Sequence, residues 1–283
     1  MPRLLLFFAL LHTPLLASPQ PIPSSCRALL VAQPDSWDSQ SSELQLYRRK
    51  NSSSSWISTG IPIKVHLGRR GLAWGRGLHP NQPGVQKKEG DKKSPAGLFQ
   101  LGSILYGYDT QADLPNWRYR QVTDRDLWIE DPSSPLYNRH LILSPHQPFP
   151  SGELYHLMRQ SDPAHALKLF IRHNAPPHVL PGAGSAIFFH LCRGPLSVTT
   201  GCTSMEESDL RRLLQNVNPA DQPVYVLLPK NEYTRFHPAW GLPMIKPRTP
   251  SFLIPSSSLP TLSLLLPSAS THPETNPPFR STP

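Results

Sequence analysis

Cysteine is scarce in this chain, which has three cysteines in 283 residues. Such a number cannot build the dense disulfide framework of a small secreted domain. One pair, such as Cys192 with Cys202, could form, and this would leave Cys26 free. An unpaired thiol is a liability for an exported protein unless it performs chemistry. The few cysteines therefore direct attention to a reactive thiol.

Charged residues are also few, at 17%, whereas proline is abundant, with 35 residues crowded toward the C-terminus. This composition, together with much serine and threonine, favours an extracytoplasmic protein. Long hydrophobic runs are missing, since the apolar stretches 4–11 and 262–266 are both too short to cross a bilayer. No internal repeat is visible.

The formal net charge is +9. A positive charge of this size is compatible with binding to nucleic acid or to an anionic surface such as a cell wall or lipid headgroups, and it also favours solubility. The basic residues are scattered over segments 48–50, 69–70, 87–93 and 211–212. No basic patch interleaved with aromatics and no nucleic-acid motif is present. We therefore predict no nucleic-acid partner.

The composition divides the chain into four segments. Residues 1–17 predict an export signal, because Arg3 precedes a short apolar core and a small-residue cleavage site; a short membrane anchor is the alternative. Residues 18–43 are rich in proline and serine and predict a linker. Residues 44–246 predict the folded domain. Residues 247–283 predict a disordered tail, because proline recurs too often for a helix or a central strand.

The folded domain is predicted to be mainly β. Apolar residues alternate cleanly over 61–67, as on a half-buried strand, and the apolar run 187–189 indicates a central strand. Ser204 and Glu207 form a capping-box pattern, and apolar residues follow at helical spacing over 210–217. These patterns predict a mainly β fold with one firm helix.

A candidate thiol site lies between the predicted central strand and the helix. His190 ends the strand, and Cys202 follows after a loop of eleven residues, two residues before the predicted N-cap Ser204. A helix N-terminus favours a thiolate, and a nearby histidine can accept the thiol proton. Gly201 allows a tight turn that leaves amide groups facing an oxyanion. Arg193 suits a substrate carboxylate.

Other roles are open for the same residues. A lone cysteine often packs as a small apolar residue, and a lone histidine often serves a structural hydrogen bond. Zinc is a further alternative, but the possible ligands stand at no recognised metal spacing, so no metal is predicted. Those ligands are His173, His178, His190 and Cys202.

The segment around the thiol resembles a known family. His190 and the later Thr-Thr-Gly-Cys-Thr of residues 199–203 resemble the catalytic segment of L,D-transpeptidases of the YkuD type, bacterial cell-wall enzymes with a cysteine nucleophile. Segment 92–99, KKSPAGLF, resembles the T-P-x-G-x-F turn of that family. The resemblance covers about residues 44–229. Thr200 replaces a family histidine, the arginine after the cysteine is missing, and the spacing from His190 to the cysteine is shorter than usual.

The resemblance implies an L,D-transpeptidase-like mixed β-sandwich located in the periplasm or cell wall, without a membrane segment after signal removal. It implies that Cys202 attacks a peptidoglycan stem peptide, that His190 accepts the thiol proton and that Gly201 belongs to the oxyanion region. Substrate contacts would come from Arg193, Thr199 and Thr200. A thioester would pass to an amine acceptor, and no cofactor is needed.

Two alternatives follow from the departures. The loss of the family histidine at Thr200 favours an L,D-carboxypeptidase or peptidoglycan hydrolase in which water accepts the acyl group. The missing family residues and the long tail also fit a non-catalytic wall-binding module.

Overall fold

The computed structural model describes residues 21–245. The predicted export signal and the predicted tail therefore lie outside the described residues. The strands are β1 Ala28–Ala32, β2 Ser41–Arg48, β3 Ile57–His66, β4 Leu72–Trp74, β5 Ser94–Gly107, β6 Arg118–Gln121, β7 Asp126–Ile129, β8 His140–Ile142, β9 Tyr155–Leu157, β10 Leu167–Ile171, β11 Phe188–Leu191, β12 Thr203–Met205 and β13 Val224–Leu227. The α-helices are α1 Glu207–Gln215 and α2 Lys230–Trp240, and a 3-10 turn spans Pro163–His165.

The large sheet is mixed and closes on itself through the long strand β5. Its order is β10-β11-β12-β3-β2-β1-β13-β5-β4, and β5 also pairs with β10 and β6. Gly97 to Gln100 of β5 pair with β13, whereas the later part, Leu101 to Gly107, pairs with β10. Parallel pairs join β1 to β13 and β11 to β12. The prediction of a mainly β fold with a mixed sheet is confirmed.

A small second sheet covers one side of the large one. Its order is β8-β7-β9, and both pairings are antiparallel. Trp128 on β7 packs against Phe170 and Phe188 of the large sheet, with ring centroids 4.6 and 4.9 Å away. Burying these aromatic faces holds the two sheets together. Cys202 packs against the edge of this aromatic cluster.

The helices differ from the prediction in two ways. Helix α1 begins at Glu207, and Ser204 lies in β12, where it pairs with His190 and His66. The capping-box prediction is therefore wrong, because strand pairing engages Ser204 before the helix can begin. A second helix, α2, follows β13 directly after Pro229. The sequence pattern did not predict this helix, because Pro238 lies in its last turn and its apolar stripe is weak.

The predicted linker 18–43 contains structure as well. Strand β1 is buried at all five of its positions and lies between β2 and β13, so this part of the prediction is wrong. Its sequence, ALLVA, is a short continuous apolar run, which is the pattern of a strand buried on both faces. Neither helix found within residues 21–245 has the length and apolar character that a membrane span requires.

Candidate active site

A cavity of about 410 Å³ opens where β11, β12 and β10 meet the small sheet. Five of the six predicted site residues line it: Cys202, His190, Arg193, Thr199 and Thr200. Gly201 does not line it. The cavity also receives charged side chains from three distant segments of the chain: Lys87, Glu89, Lys92, Glu130 and Lys168.

The backbone of Cys202 is held by two hydroxyl groups. Thr199 Oγ1 donates to the Cys202 carbonyl at 2.7 Å, and Ser94 Oγ donates to the same oxygen at 3.1 Å. Ser94 Oγ also accepts from the Gly68 amide at 2.9 Å. The two motif segments seen in the sequence, 92–99 and 199–203, therefore meet at this carbonyl. Largely buried hydroxyl bonds of this kind limit the positions that the cysteine can adopt.

Gly201 makes the turn before the cysteine. Its φ of 144° lies where side chains are disfavoured, and a Cβ there would come within 3.0 Å of the Lys93 carbonyl oxygen. The Gly201 amide donates to Thr199 Oγ1 at 3.0 Å. This amide is thus engaged within the turn, and in this geometry it does not face a substrate oxyanion.

The Cys202 sulfur lies between the Ala186 carbonyl and the Phe188 amide, at the start of β11. The Phe188 amide is 3.4 Å from the sulfur, and the thiol points toward the Ala186 carbonyl at 3.4 Å. Burial raises the pKa of the thiol to about 11, against the lowering effects of the Phe188 amide and of the Lys168 ammonium. The predicted helix dipole does not act here, because β12 separates Cys202 from α1.

Asn138 holds the backbone that presents these groups. Its Oδ1 accepts from the Ala186 amide at 3.0 Å and from Trp128 Nε1 at 2.9 Å. Its Nδ2 donates to the carbonyls of His173 and Asn174 at 3.0 and 2.8 Å. Asn138 is buried, and one side chain thereby joins the small sheet, the end of β10 and the approach to β11.

His190 is close to the thiol in the fold but is not bonded to it. Its Nδ1 lies 2.8 Å from the Leu191 carbonyl, which only accepts, so Nδ1 carries the hydrogen and Nε2 keeps a lone pair. Its ring stacks on His165 at 5.1 Å. Burial lowers the pKa of His190 to about 4, so the ring is neutral at pH 7.

The strand register gives the separation between these two residues. Thr203 pairs with Phe189, so Cys202 lies beside Phe188 on the neighbouring strand. It is about 7 Å from His190 along the strands and about 4.8 Å across them, so the two Cα atoms are about 8 Å apart. No hydrogen bond joins the sulfur to the imidazole among residues 21–245. A rotation of one or both side chains is needed to bring the two groups into contact.

Lys168 is a charged residue of the site that sequence reasoning missed. It lies on β10 opposite His190 and is 3% exposed. Its Nζ donates to the Met158 carbonyl at 2.9 Å and sits 5.4 Å from the Phe188 ring centre. Burial lowers the pKa of Lys168 to about 8, and the Cys202 thiolate would raise it. The sequence did contain a sign of this residue, since it is a lysine within the apolar run LKLFI. Lysine is rarely buried unless it is paired or has a function.

Arg193 and Thr200 lie at the rim of the cavity and are exposed. Arg193 Nε donates to Asp162 Oδ2 at 2.7 Å, and its Nη2 contacts the same oxygen. Asp162 caps the 3-10 turn that carries His165. Arg193 would therefore have to exchange Asp162 for a substrate carboxylate in order to perform the predicted binding role.

The zinc and disulfide alternatives find no support in the geometry of residues 21–245. All three cysteines are free, and Cys192 Sγ contacts Glu206 Oε1 at 3.0 Å. The His173 ring is bonded to the Arg76 amide at 3.1 Å and the Ala183 carbonyl at 2.9 Å, which makes it structural. No group of three or more metal-ligating side chains lies together in this part of the chain.

Comparison with known proteins defines the class. Residues 38–226 match the family model of the L,D-transpeptidase catalytic domain, YkuD. The chain therefore belongs to the L,D-transpeptidase catalytic domain family, as the resemblance in the sequence predicted. This membership supports a cell-wall-related role and a peptidoglycan substrate in general. No curated protein and no solved structure matches the chain.

Proposed function

We propose that this chain is a cysteine acyltransferase that acts on peptidoglycan stem peptides outside the cytoplasm. The observation that carries the proposal is that Cys202 and His190 line one cavity in a chain of the L,D-transpeptidase family. The other two cysteines, Cys26 and Cys192, do not line it. Among the described residues, only Cys202 thus offers this cavity a thiol.

The first step forms a thioester. The Cys202 sulfur bonds to the carbonyl carbon between the diamino acid and the terminal D-Ala of the donor. The thiol proton moves to His190 Nε2, which then passes it to the departing amine as the C–N bond breaks. Burial raises the pKa of the thiol to about 11 and lowers that of His190 to about 4, so both groups are neutral at pH 7 before the donor binds.

The second step resolves the thioester. An acceptor amine attacks the carbonyl, gives up a proton through His190, and releases the Cys202 thiol. Water in place of the amine gives an L,D-carboxypeptidase. Thr200 is exposed at the rim, at the position where the family motif has a histidine, so this part of the rim carries a hydroxyl group in place of an imidazole.

The test uses purified protein, muropeptides and a labelled D-amino acid as acceptor, with products identified by mass spectrometry. We expect labelled peptides from the native chain and from Cys192→Ala, and none from Cys202→Ala. Shortened peptides without label would identify a hydrolase. Equal product from Cys202→Ala would refute the thiol mechanism, and the absence of any product from the native chain would favour the wall-binding module.

A further inference from the structure

Two carboxylates line the thiol cavity and take no part in the proposed acyl transfer. Glu89 lies in the segment before β5, and Glu130 directly follows β7. The Glu130 side chain is 19% exposed, and Glu89 is also partly buried. Neither forms an ion pair with a lysine or an arginine within residues 21–245. A partly buried carboxylate without a cation is costly unless other partners compensate its charge.

Each carboxylate is held through one oxygen and presents the other. Glu89 Oε2 accepts from Ser185 Oγ at 2.7 Å and from the Tyr137 hydroxyl. Glu130 Oε2 lies 2.5 Å from His156 Nδ1. The Oε1 atoms of both glutamates have no hydrogen bond within the described part of the chain, and neither is among the buried polar atoms there that lack a partner. Both oxygens are therefore accessible and available to a ligand.

The charges of both carboxylates act on the same imidazole. The pKa of His156 is raised above all by its hydrogen bond to Glu130, and to a smaller degree by the charge of Glu89. A protonated His156 carries one positive charge, whereas the two carboxylates together carry two negative charges. At least one negative charge therefore remains without a counter-charge from this ring.

The lysines that line the cavity do not neutralise these carboxylates. Lys87 Nζ pairs with Asp91 Oδ1 at 2.6 Å, and Lys168 Nζ donates to the Met158 carbonyl at 2.9 Å. Each ammonium group thus has its own partner away from the two glutamates. An ammonium group that enters the cavity can accordingly bind the two open oxygens.

Glu130 acts at close range on the reacting sulfur. Its negative charge is one of the causes that raise the pKa of the Cys202 thiol. Trp128, two residues before Glu130, packs against Phe188, whose amide is 3.4 Å from the sulfur. In the proposed donor, the side chain of the diamino acid starts at the carbon next to the carbonyl that the sulfur attacks. The end of that side chain therefore falls in the surroundings of the sulfur, where the glutamate lies.

We propose that Glu130 is a specificity residue that, together with Glu89, binds the ammonium group of the donor's diamino acid side chain. This inference rests on the proposed function, which supplies the donor. Each open oxygen accepts one N–H of the ammonium group in a charge-assisted hydrogen bond. The acceptor amine does not suit this place, because carboxylates keep an amine protonated, and a protonated amine has no lone pair for attack.

The experiment measures the binding of two synthetic stem tetrapeptides by calorimetry. The full chain carries Cys202→Ala, so a donor binds without turnover. One peptide has lysine as its diamino acid, and in the other this lysine is acetylated on its side-chain nitrogen. We expect the peptide with the free ammonium group to bind at least about tenfold more tightly, because hydrogen bonds between charged groups are the stronger ones.

A second substitution tests the residue itself. Adding Glu130→Gln is expected to remove most of this preference by weakening the binding of the ammonium peptide, while the affinity for the acetylated peptide stays unchanged. Glu207→Gln, at an exposed position on α1, is the matched control and is expected to leave both affinities unchanged. A merely structural role of Glu130 would weaken both peptides alike, and that result in a folded variant would overturn the assignment. Circular dichroism of each variant establishes that it is folded.

The outcomes separate this inference from the proposed function. Equal binding of the two peptides, or binding of neither, would overturn the ammonium site without any change at Glu130. If the native chain also transfers the acyl group, the proposed function stands while the ammonium site is lost. A preference for the ammonium peptide that depends on Glu130, in a native chain that forms no product, would support the site and refute the transferase.

Discussion

Replacing Lys168 by methionine is expected to slow the reaction of the Cys202 thiol. The substitution keeps an unbranched apolar stem and removes the buried ammonium. The Lys168 ammonium lowers the pKa of the Cys202 thiol, and a nearby opposite charge typically shifts a pKa by about one unit, so without it the thiolate fraction falls about tenfold. A more basic thiolate is also a better nucleophile, by about threefold for this change, which leaves alkylation about threefold slower.

The assay follows carbamidomethylation of the Cys202 peptide by mass spectrometry at pH 7, where the lysine is still mostly charged. The difference between native chain and variant is expected to shrink above pH 8, because the ammonium then loses its proton. Lys50→Met, at an exposed position, is the matched control. If folded Lys168→Met reacts as fast as the native chain at pH 7, the ammonium does not stabilise the thiolate.

Three further predictions concern the support of the site. Thr199→Val removes the hydrogen bonds that Thr199 Oγ1 makes to the Cys202 carbonyl and accepts from the Gly201 amide. We expect the unfolding free energy, measured by urea denaturation, to fall by about 1–3 kcal/mol. Thr199→Ser keeps the hydroxyl group and should stay close to the native value. Gly201→Ala forces a side chain onto a φ of 144° and should cost about 1–3 kcal/mol in the same assay; an unchanged midpoint would contradict the strain. Burial lowers the pKa values of His165 and His173 to about 3, so below about pH 6.5 the unfolded chain binds protons that the folded chain does not. We therefore expect the unfolding free energy to decrease as the pH drops below about 6.5, by up to about 1.4 kcal/mol per pH unit for each ring. A flat stability profile between pH 7 and 5 would rule this out.

Local patterns predicted the strands more reliably than the helix start. The alternation over 61–67 falls largely within β3, and the apolar run before His190 leads into β11. Ser204 and Glu207 satisfy the local rule for a helix start, but Ser204 pairs with strands on both sides. A residue's partners across a sheet come from distant sequence, and they override its local preference.

The sequence predicted the site residues whose side chains have a recognisable chemical role. It did not predict those that act only through their position in the fold. A cysteine, a histidine and a glycine turn suggested a thiol site, and five predicted residues line one cavity. Ser94 and Asn138 carry no such chemical signal. Each acts by bonding backbone groups far from it in sequence, and only the folded topology reveals those contacts.

The parallel pairing of β1 with β13 delays the assembly of the whole site. The two strands are almost 200 positions apart, and Leu29 pairs with Val224. The sheet that carries the cysteine therefore closes only once nearly all of the domain has emerged, and such long-range pairing forms slowly. A chain still being synthesised lacks the finished cavity. We expect the Cys202 thiol to acquire its buried surroundings only after strand β13 has paired with β1.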